Sequence, residues 1–297
     1  LATHGLVRTF AERCERVSGM TANLPSGSGS TVRECQARGL EMLLEVDRIC
    51  SKHSITYFLD SGTLLGAVRH HGFIPWDDDV DIAMLRPDYE AFLKACQTEL
   101  DSKYFLQTNE TDPCYPFAIA KILYKKSRVV GCEGVRHRTG YALDVFAIDN
   151  ASGNALVQTA RVFLIKVVQG LCKSRLMIDY DRYDNVWAKL AVFVTSSVGR
   201  LFSLKALMKM QRAIAVAYGS RDTGYKCCLS YTFGELNRRF PAWIFEGTEK
   251  MSFEGHLLPV PKGWHESLTI LYGDYMVPPP IEQRTPAHGS GLVRFFG

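Results

Sequence analysis

Hydrophobic positions recur at two different periods along the first half of the chain, and this alternation predicts a mixed α/β core. Leu, Val and Ile at near-helical spacing predict an amphipathic helix over 34–52. Start signals such as Pro87 predict two further helices, at 63–70 and 88–100. Short apolar runs predict strands at 55–59, 80–84, 104–107, 118–123, 128–132 and 141–146.

The second half of the chain has a different pattern. Residues 155–217 have helical periodicity and hold ten Lys or Arg against three Asp and no Glu. The last part is rich in Pro and Gly, which predicts irregular structure that wraps the surface. We therefore divide the chain into a flexible N-terminal segment, a catalytic core, a basic helical region and a C-terminal region that packs on the core: 1–34, 35–150, 151–249 and 250–297.

Composition narrows the classes of function. The chain has 35 Lys or Arg against 31 Asp or Glu, a net charge of +4, which is too balanced to indicate nucleic-acid binding. No run of about 18 uncharged apolar residues occurs, so we predict no transmembrane helix. The nine cysteines lack a CxxC spacing, which favours reduced thiols and a cytoplasmic location.

Four aspartates within five residues form the most distinctive chemical feature, namely Asp77, Asp78, Asp79 and Asp81. On a strand, Asp79 and Asp81 project from the same face. Like charges this close repel one another unless a cation neutralises them, and Mg²⁺ prefers carboxylate ligands. The alternative is a solvated acidic turn. A calcium-binding EF-hand loop is excluded because its sixth position would be Ile82 and not Gly.

Asp144 lies within a predicted apolar strand and is the candidate for a third ligand. An unpaired carboxylate buried there would cost several kcal/mol, so Asp144 needs a partner. A metal shared with Asp79 and Asp81 would supply that partner. The alternative is an ion pair with a nearby base such as Arg136 or Arg138.

A short polar stretch upstream, 60–66, follows one predicted strand and opens a helix. Gly62 permits close backbone approach, and the N-terminus of the helix offers unpaired N–H groups to a phosphate. The alternative is an ordinary helix cap formed by Ser61 and Thr63.

Several separated stretches resemble the LicD-type family, which includes bacterial phosphorylcholine transferases and the eukaryotic fukutin and fukutin-related proteins. The resemblance covers about 36–150 and 250–290, and the basic middle lies outside it. It rests on four stretches in the family's order, with Arg284 and His288 beyond the last: 58–69, 71–81, 141–149 and 271–280.

This resemblance implies an α+β, nucleotidyltransferase-type fold, a small mixed sheet flanked by helices, to which this chain adds a helical insert and an extended C-terminal tail. It implies transfer of a substituted phosphate, such as phosphocholine or ribitol phosphate, from a CDP-activated donor to a sugar hydroxyl, with release of CMP. The acceptor would be a cell-surface glycan or a lipid-linked saccharide, as in lipopolysaccharide or teichoic acid biosynthesis. Three rival activities remain open: an NTP-dependent nucleotidyltransferase of the same fold, an Asp-x-Asp glycosyltransferase and an inactive binding module.

The resemblance carries over the turn Gly62–Thr63, the pair Asp79 and Asp81 and the third acid Asp144, and we add the remaining candidates below as a hypothesis of our own. The catalytic and metal-binding set, for Mg²⁺ or alternatively Mn²⁺, is Asp79, Asp81 and Asp144. The set expected to hold the donor phosphates is Gly62, Thr63, Arg69 and Lys121. Further candidates for substrate contact are Asp60, Trp76, Arg284 and His288. Ser61 stands where the family commonly has a second Gly, a mild departure that leaves Gly62 intact.

The basic middle bears on location and partners. One interpretation is peripheral association with the inner face of a membrane, since polybasic segments gain about 1 kcal/mol per Lys or Arg near anionic lipid. The interpretation that we prefer from the sequence is a solvated helical insert whose charges balance acids elsewhere, because amphipathic helices with Lys and Arg are common on soluble proteins. The expected partners are a CDP-activated donor and a glycan or lipid-linked saccharide, and no nucleic acid.

Overall fold

The computed structural model describes residues 30–130, 132, 134–176, 185–231, 235–286 and 292–296. Most of the predicted N-terminal segment and His288 lie outside these residues. The described part contains seven α-helices: α1 Val32–His53, α2 Ser61–His70, α3 Arg86–Glu99, α4 Ala155–Cys172, α5 Val186–Gly199, α6 Leu204–Ala215 and α7 Trp264–Tyr272. Its strands are β1 Phe58–Leu59, β2 Val80–Leu85, β3 Tyr104–Gln107, β4 Ala120–Tyr124, β5 Ser127–Val129, β6 Ala142–Asn150, β7 Tyr225–Cys227, β8 Phe240–Pro241, β9 Thr248–Phe253, β10 His256–Pro261 and β11 Val293–Phe295. The α+β class predicted from the sequence is confirmed.

A mixed sheet in the order β1-β2-β6-β4-β3 lies at the centre of the molecule. Strands β2 and β6 run parallel, and the other neighbours along this path are antiparallel. Beyond the end of β2, β6 pairs with β7, which in turn pairs with β8. The parallel pair brings together two segments that are about sixty residues apart in sequence, so the site depends on this crossover.

Helix α1 shows how the amphipathic pattern becomes structure. Thr31 and Glu34 form a capping box that starts the helix, and Ser54 ends it in the left-handed conformation. The side chains that gave the helical period are buried in the main core, Leu43 and Val46 among them. Helix α3 adds Phe92 to the same core. The predicted helices 34–52, 63–70 and 88–100 are therefore confirmed within two residues at each end.

The C-terminal region departs from its prediction. Residues 250–297 were expected to be irregular, but β9 and β10 form a regular antiparallel hairpin and α7 follows it. The hairpin turns through Glu254 and Gly255, with φ of 49° and 82°. A two-residue turn of this kind requires positive φ at both central positions, which Gly255 supplies without strain. The Pro and Gly content thus marked a hairpin turn and not an irregular tail.

Helices α4, α5 and α6 form a helical layer beside the sheet. Helix α4 packs through Val162 and Ile165 in a smaller hydrophobic cluster that is separate from the main core and includes Cys227 of β7. Arg161, which is buried, donates hydrogen bonds to the carbonyls of Asn150 and Ile214 at 2.7 and 2.9 Å. These contacts tie one face of α4 to the rest of the protein.

Two parts of the helical layer are apolar enough to be compared with membrane-spanning segments. Among the described residues, Ala155–Arg175 is long and apolar enough to cross a membrane by length and composition alone, with 44% of its apolar window buried inside the protein. The bent pair α5 and α6 passes the same test if counted as one span. Arg161 and Lys166 interrupt this apolar stretch, which is why the sequence predicts no transmembrane helix here.

One cysteine departs from the predicted reduced state. Cys132 forms a disulfide, so the expectation of reduced thiols throughout is wrong at this position. Seven other cysteines in the described part of the chain are free, and all except Cys114 are buried.

Candidate functional site

Asp81 and Asp144 lie side by side on the two parallel strands. The register of β2 and β6 pairs Asp81 directly with Asp144, so both side chains project from the same face of the sheet, about 5 Å apart at the backbone. Their neighbours Val80 and Leu143 are fully buried on the opposite face. Asp79 immediately precedes β2 and, like Asp81, is partly exposed on one side of the buried Val80. The pairing of β2 with β6 therefore places Asp144 beside the Asp79–Asp81 pair.

Lys121 completes a row of charged side chains across three strands. It lies opposite Asp144 in the antiparallel pair of β4 and β6, and its Nζ is 2.5 Å from Asp144 Oδ1. Both side chains are about one-fifth exposed. The sequence alternative that gave Asp144 an ion-pair partner named Arg136 or Arg138; the partner in the structure is Lys121, and the guanidinium of Arg138 stacks on Phe105.

The acidic residues do not form a ready-made cage of three ligands. In the part of the chain that the structure describes, no three His, Cys, Asp or Glu side chains are grouped closely enough to hold a metal ion. One oxygen of Asp144 is held by Lys121. A pair of carboxylates that shares the ion with substrate phosphates remains compatible with this arrangement, because Mg²⁺ in phosphate-transfer sites commonly has only one or two carboxylate ligands.

The first turn of α2 is fastened to β2 by two hydrogen bonds. The Asp60 backbone N–H donates to the Asp81 carbonyl at 3.0 Å, and the Asp81 backbone N–H donates to Thr63 Oγ1 at 2.9 Å. The Thr63 side chain is buried, so its main contact is structural. Ser61 has a φ of 48°, which explains why Gly is the easier residue at this position.

Gly62 allows a carboxylate to approach the start of α2. A Cβ at this position would lie 2.7 Å from Asp77 Oδ2, so any side chain here would displace Asp77. The loop that carries Asp77 is held by Gln36, whose Nε2 donates to the carbonyls of Ile74 and Asp77 at 3.1 and 2.9 Å. The predicted phosphate-binding turn is thus faced by an acidic side chain in this structure.

Asp60 is buried and hydrogen-bonded. The hydroxyl of Tyr231 donates to Asp60 Oδ2 at 2.5 Å. Burial raises the pKa of Asp60, and the hydrogen bond from Tyr231 opposes this rise. Sequence reasoning placed Asp60 among the substrate contacts and did not find Tyr231, which lies in a segment outside the motifs.

A second cluster contains two guanidinium groups. Arg69 Nη1 donates to the Tyr275 carbonyl at 2.7 Å, and the guanidinium carbon of Arg284 lies 5.3 Å from the centre of the Trp76 ring. Burial lowers the pKa of Arg69, and the positive charge of Arg284 lowers it further. Arg69 Nε is buried and has no hydrogen-bond partner among the described residues. Arg284 Nε donates to the Pro279 carbonyl at 2.8 Å, so the unpartnered donor belongs to Arg69. Two close cations, one of them with a buried donor that lacks a partner, are typical of an anion-binding site.

Two tyrosines that were not among the predicted site residues lie close to the acids. Burial raises the pKa of Tyr115 well above its usual value, and the charge of Asp144 contributes. Burial, together with the charges of Glu235 and Asp81, has the same effect on Tyr272. Tyr272 belongs to the stretch 271–280, so its position could have been anticipated, whereas nothing in the sequence pointed to Tyr115.

Comparison with known proteins gives one family and several relatives. A family model described as the nucleotidyltransferase domain of LicD, FKTN and FKRP matches residues 54–116. The lipopolysaccharide cholinephosphotransferase LicD of Haemophilus influenzae is 29% identical over 266 residues, which cover 87% of this chain and 96% of that protein. An uncharacterized protein of Rickettsia prowazekii is 46% identical over 48 residues, 16% of this chain. The family match includes Asp79 and Asp81 but ends before Lys121 and Asp144.

Proposed function

Because the chain belongs to the LicD-type family, we propose that it is a phosphotransferase that moves phosphocholine, or a similar substituted phosphate, onto a hydroxyl of a glycan. The observation that carries this proposal is the row formed by Asp81, Asp144 and Lys121 on three neighbouring strands. Phosphoryl transfer needs positioning and charge stabilisation more than covalent chemistry, and a row of fixed charges beside a helix N-terminus provides both.

The donor in this proposal is a CDP-activated alcohol, and two parts of the site are suited to it. The guanidinium groups of Arg69 and Arg284 would bind the negatively charged diphosphate, and the ring of Trp76 supports Arg284 from one side. Backbone N–H groups at Gly62 would hold further phosphate oxygens once Asp77 moves aside. Thr63 then acts by holding α2 against β2.

The chemical step can be written with this chain's own residues. The acceptor hydroxyl oxygen forms a bond to the donor phosphorus nearest the alcohol, the bond from that phosphorus to the CMP oxygen breaks, and CMP leaves. Asp144 accepts the hydroxyl proton, and Lys121 holds its carboxylate in place. Asp79 and Asp81 would hold Mg²⁺, or Mn²⁺ in its place, which when bound neutralises charge on the donor phosphates.

The acceptor in this proposal is a glycan or lipid-linked saccharide, met at the cytoplasmic, inner face of a membrane. The name of the Haemophilus relative supports a lipopolysaccharide-type acceptor. Nothing in the net charge of +4 supports a nucleic-acid partner.

A donor panel tests the proposed reaction. The purified protein is incubated with Mg²⁺, a candidate glycan and one of CDP-choline, CDP-ribitol or CDP-glycerol, and CMP release is measured. We expect CMP from at least one donor, dependent on acceptor and lost in Asp81→Asn, while the exposed control Asp222→Asn keeps the rate. Pyrophosphate release from an NTP would favour the nucleotidyltransferase alternative, and turnover of a nucleotide-sugar would favour a glycosyltransferase. No turnover of any CDP-alcohol would contradict the proposal.

A binding measurement tests the metal site separately from activity. Mn²⁺ is titrated into the protein and followed by electron paramagnetic resonance, with and without a CDP-alcohol. We expect one site that Asp79→Asn or Asp81→Asn weakens more than Asp144→Asn does, because Lys121 already holds one oxygen of Asp144. If Asp81→Asn and the unaltered protein bound Mn²⁺ equally well, the metal would not bind at this site.

A further inference from the structure

Helix α4 exposes an apolar stripe where a water-facing helix normally has polar residues. One side of the helix is buried against the rest of the protein and includes Val162 and Ile165. The opposite side carries Leu156, Phe163, Leu164 and Val167 at helical spacing, with Leu156 81% exposed and Phe163 64% exposed. The helix is therefore apolar on both faces, and the described residues cover only one of them.

In helix α5 the usual arrangement of buried large and exposed small side chains is reversed to a greater extent than in α4. Its buried positions include Ser196 and Gly199, and its large side chains face outward. The small residues permit close packing, since a Cβ at Gly199 would collide with the Leu171 carbonyl and one at Gly170 would lie 3.2 Å from Thr195 Oγ1. The exposed large residues in and just after α5 are Val186, Trp187, Leu190, Phe193, Val194, Val198, Leu201 and Phe202. Together with the exposed stripe of α4, these residues form the outer apolar face.

The charged residues in the described part of the helical layer are all basic. Within residues 155–176 and 185–217 there are nine Lys or Arg and no Asp or Glu. Lys166 follows Phe163 by three positions and Lys189 follows Val186 by three, so both basic side chains border the apolar stripes. Helix α6 exposes Lys205 and Lys209. An apolar face with a basic border and an exposed Trp is typical of a surface that lies in the headgroup region of an anionic bilayer.

Two other occupants fit less well. A second copy of the chain packed on this face would bring the basic borders together with no acidic residue of the described helical layer to balance them, and like charges oppose such contact. A transmembrane passage of α4 would break the hydrogen bonds of the buried Arg161 to Asn150 and Ile214. An anionic bilayer can bury the apolar face and bind the basic border through its headgroups at the same time, without disturbing the fold.

We infer that the outer apolar face inserts into the surface of an anionic lipid bilayer, with the helical layer lying flat on the membrane. Lipid binding of this kind does not depend on the transfer chemistry. Only its use, which is to bring the site to a lipid-linked acceptor, rests on the proposed function. A protein that binds vesicles but releases no CMP would fail the proposed function and leave this inference standing.

Vesicle flotation tests the inference without any donor or acceptor. The protein is mixed with vesicles of phosphatidylcholine alone or with phosphatidylglycerol added, at low and high salt. We expect co-flotation with the anionic vesicles, weakened by salt. Trp187→Asp, at a residue 79% exposed, should lower the partition coefficient about ten-fold or more, whereas the control Leu257→Asp on β10, 65% exposed, should leave it unchanged.

Three results would overturn the inference. The first is no flotation with anionic vesicles at low salt, and the second is equal flotation of Trp187→Asp and the unaltered protein. The third is a dimer in light scattering that Trp187→Asp dissociates, without vesicle binding by either protein, which would assign the face to a second copy. Because Trp187 is largely exposed, we expect the variant and the unaltered protein to have the same far-ultraviolet circular dichroism spectrum, and this comparison checks that the variant is folded.

Discussion

The sheet region and the helical layer place their largest side chains in opposite ways. Around the sheet, Phe92 and Phe58 are almost fully buried, and the polar residues gather along one row at the site. In the helical layer, Phe163, Phe193 and Trp187 are exposed, and the buried positions of α5 include Ser196 and Gly199. The sheet region is organised to exclude water from a core, whereas the helical layer presents apolar surface outward. From the two proposals above, we expect the sheet region to carry the chemistry and the helical layer to make contact with the membrane.

Removal of large apolar side chains should affect the two regions very differently. Phe92→Ala, at a residue 0% exposed, should lower the free energy of unfolding by about 3–5 kcal/mol, because it leaves a cavity in the main core. Phe163→Ala should change it by no more than about 0.5 kcal/mol. Urea denaturation of both variants measures this. Similar losses for the two would show that the outer apolar face is part of the folded core.

Ion pairs should show the same contrast with a smaller effect. Arg86 binds the buried Asp149 through two hydrogen bonds of 2.8 and 2.6 Å, so Arg86→Met should lower the free energy of unfolding by about 3 kcal/mol. Arg212, 62% exposed, pairs with Glu90 at 2.9 Å. We expect Arg212→Met to lower it by less than about 1 kcal/mol, since exposed pairs contribute little. Thermal unfolding in which both variants lose equal stability would contradict the contrast.

Substitution within the row of Asp81, Asp144 and Lys121 should lower kcat/KM, whereas substitution of an exposed residue near the sheet should not. Lys121→Met should lower kcat/KM about ten-fold, or 1.4 kcal/mol, because Asp144 loses the cation that holds it. The exposed Lys126→Met, in the turn after β4, serves as the control and should leave kcat/KM unchanged. A Lys121→Met enzyme with unaltered kcat and KM would show that the pair with Asp144 has no part in transfer.

Substitution of Asp60 should have the smallest effect on the free energy of unfolding, and that effect should depend on pH. Burial raises its pKa in the folded protein above the unfolded value, so the stability it contributes is present below the unfolded pKa and is lost as the pH rises through the folded pKa. Asn at this position does not ionise, so Asp60→Asn removes the decrease in stability at high pH. We therefore expect the variant to match the unaltered protein at about pH 4 and to be more stable at about pH 8, by less than about 1.5 kcal/mol. Denaturation curves at the two pH values that differ by a constant amount would contradict this account.

Local patterns in the sequence predicted local features of the structure. The helical period of α1 and the alternation of Val80, Asp81 and Ile82 depend on neighbouring residues, and both appear in the structure as expected. The alignment of Asp81 with Asp144 depends on the register of two strands about sixty residues apart. Spacing within either strand cannot fix that register, and the Lys121 partner of Asp144 was missed for the same reason.

The β9–β10 hairpin and the burial pattern of α5 were not predicted, each for a different reason. The hairpin of β9 and β10 was missed because Pro and Gly counts dominated the interpretation of the C-terminal region, although the Glu254–Gly255 pair is a turn signal. The inverted burial of α5 depends on contacts of Gly170 and Gly199 with the neighbouring helix. A helix with apolar residues on every side does not reveal in its sequence which side the protein covers.

The central claim is that Asp81 and Asp144 act together in one site, and a double-mutant cycle tests it most directly. CMP release is measured for Asp81→Asn, Asp144→Asn and the double variant, with Asp222→Asn as the control. We predict that each single substitution lowers kcat about 10²- to 10³-fold with the fold retained, and that the double variant is little slower than either one, because residues that act as a unit are not additive. Near-native turnover by either single variant, or fully additive losses in the double variant, would contradict the account.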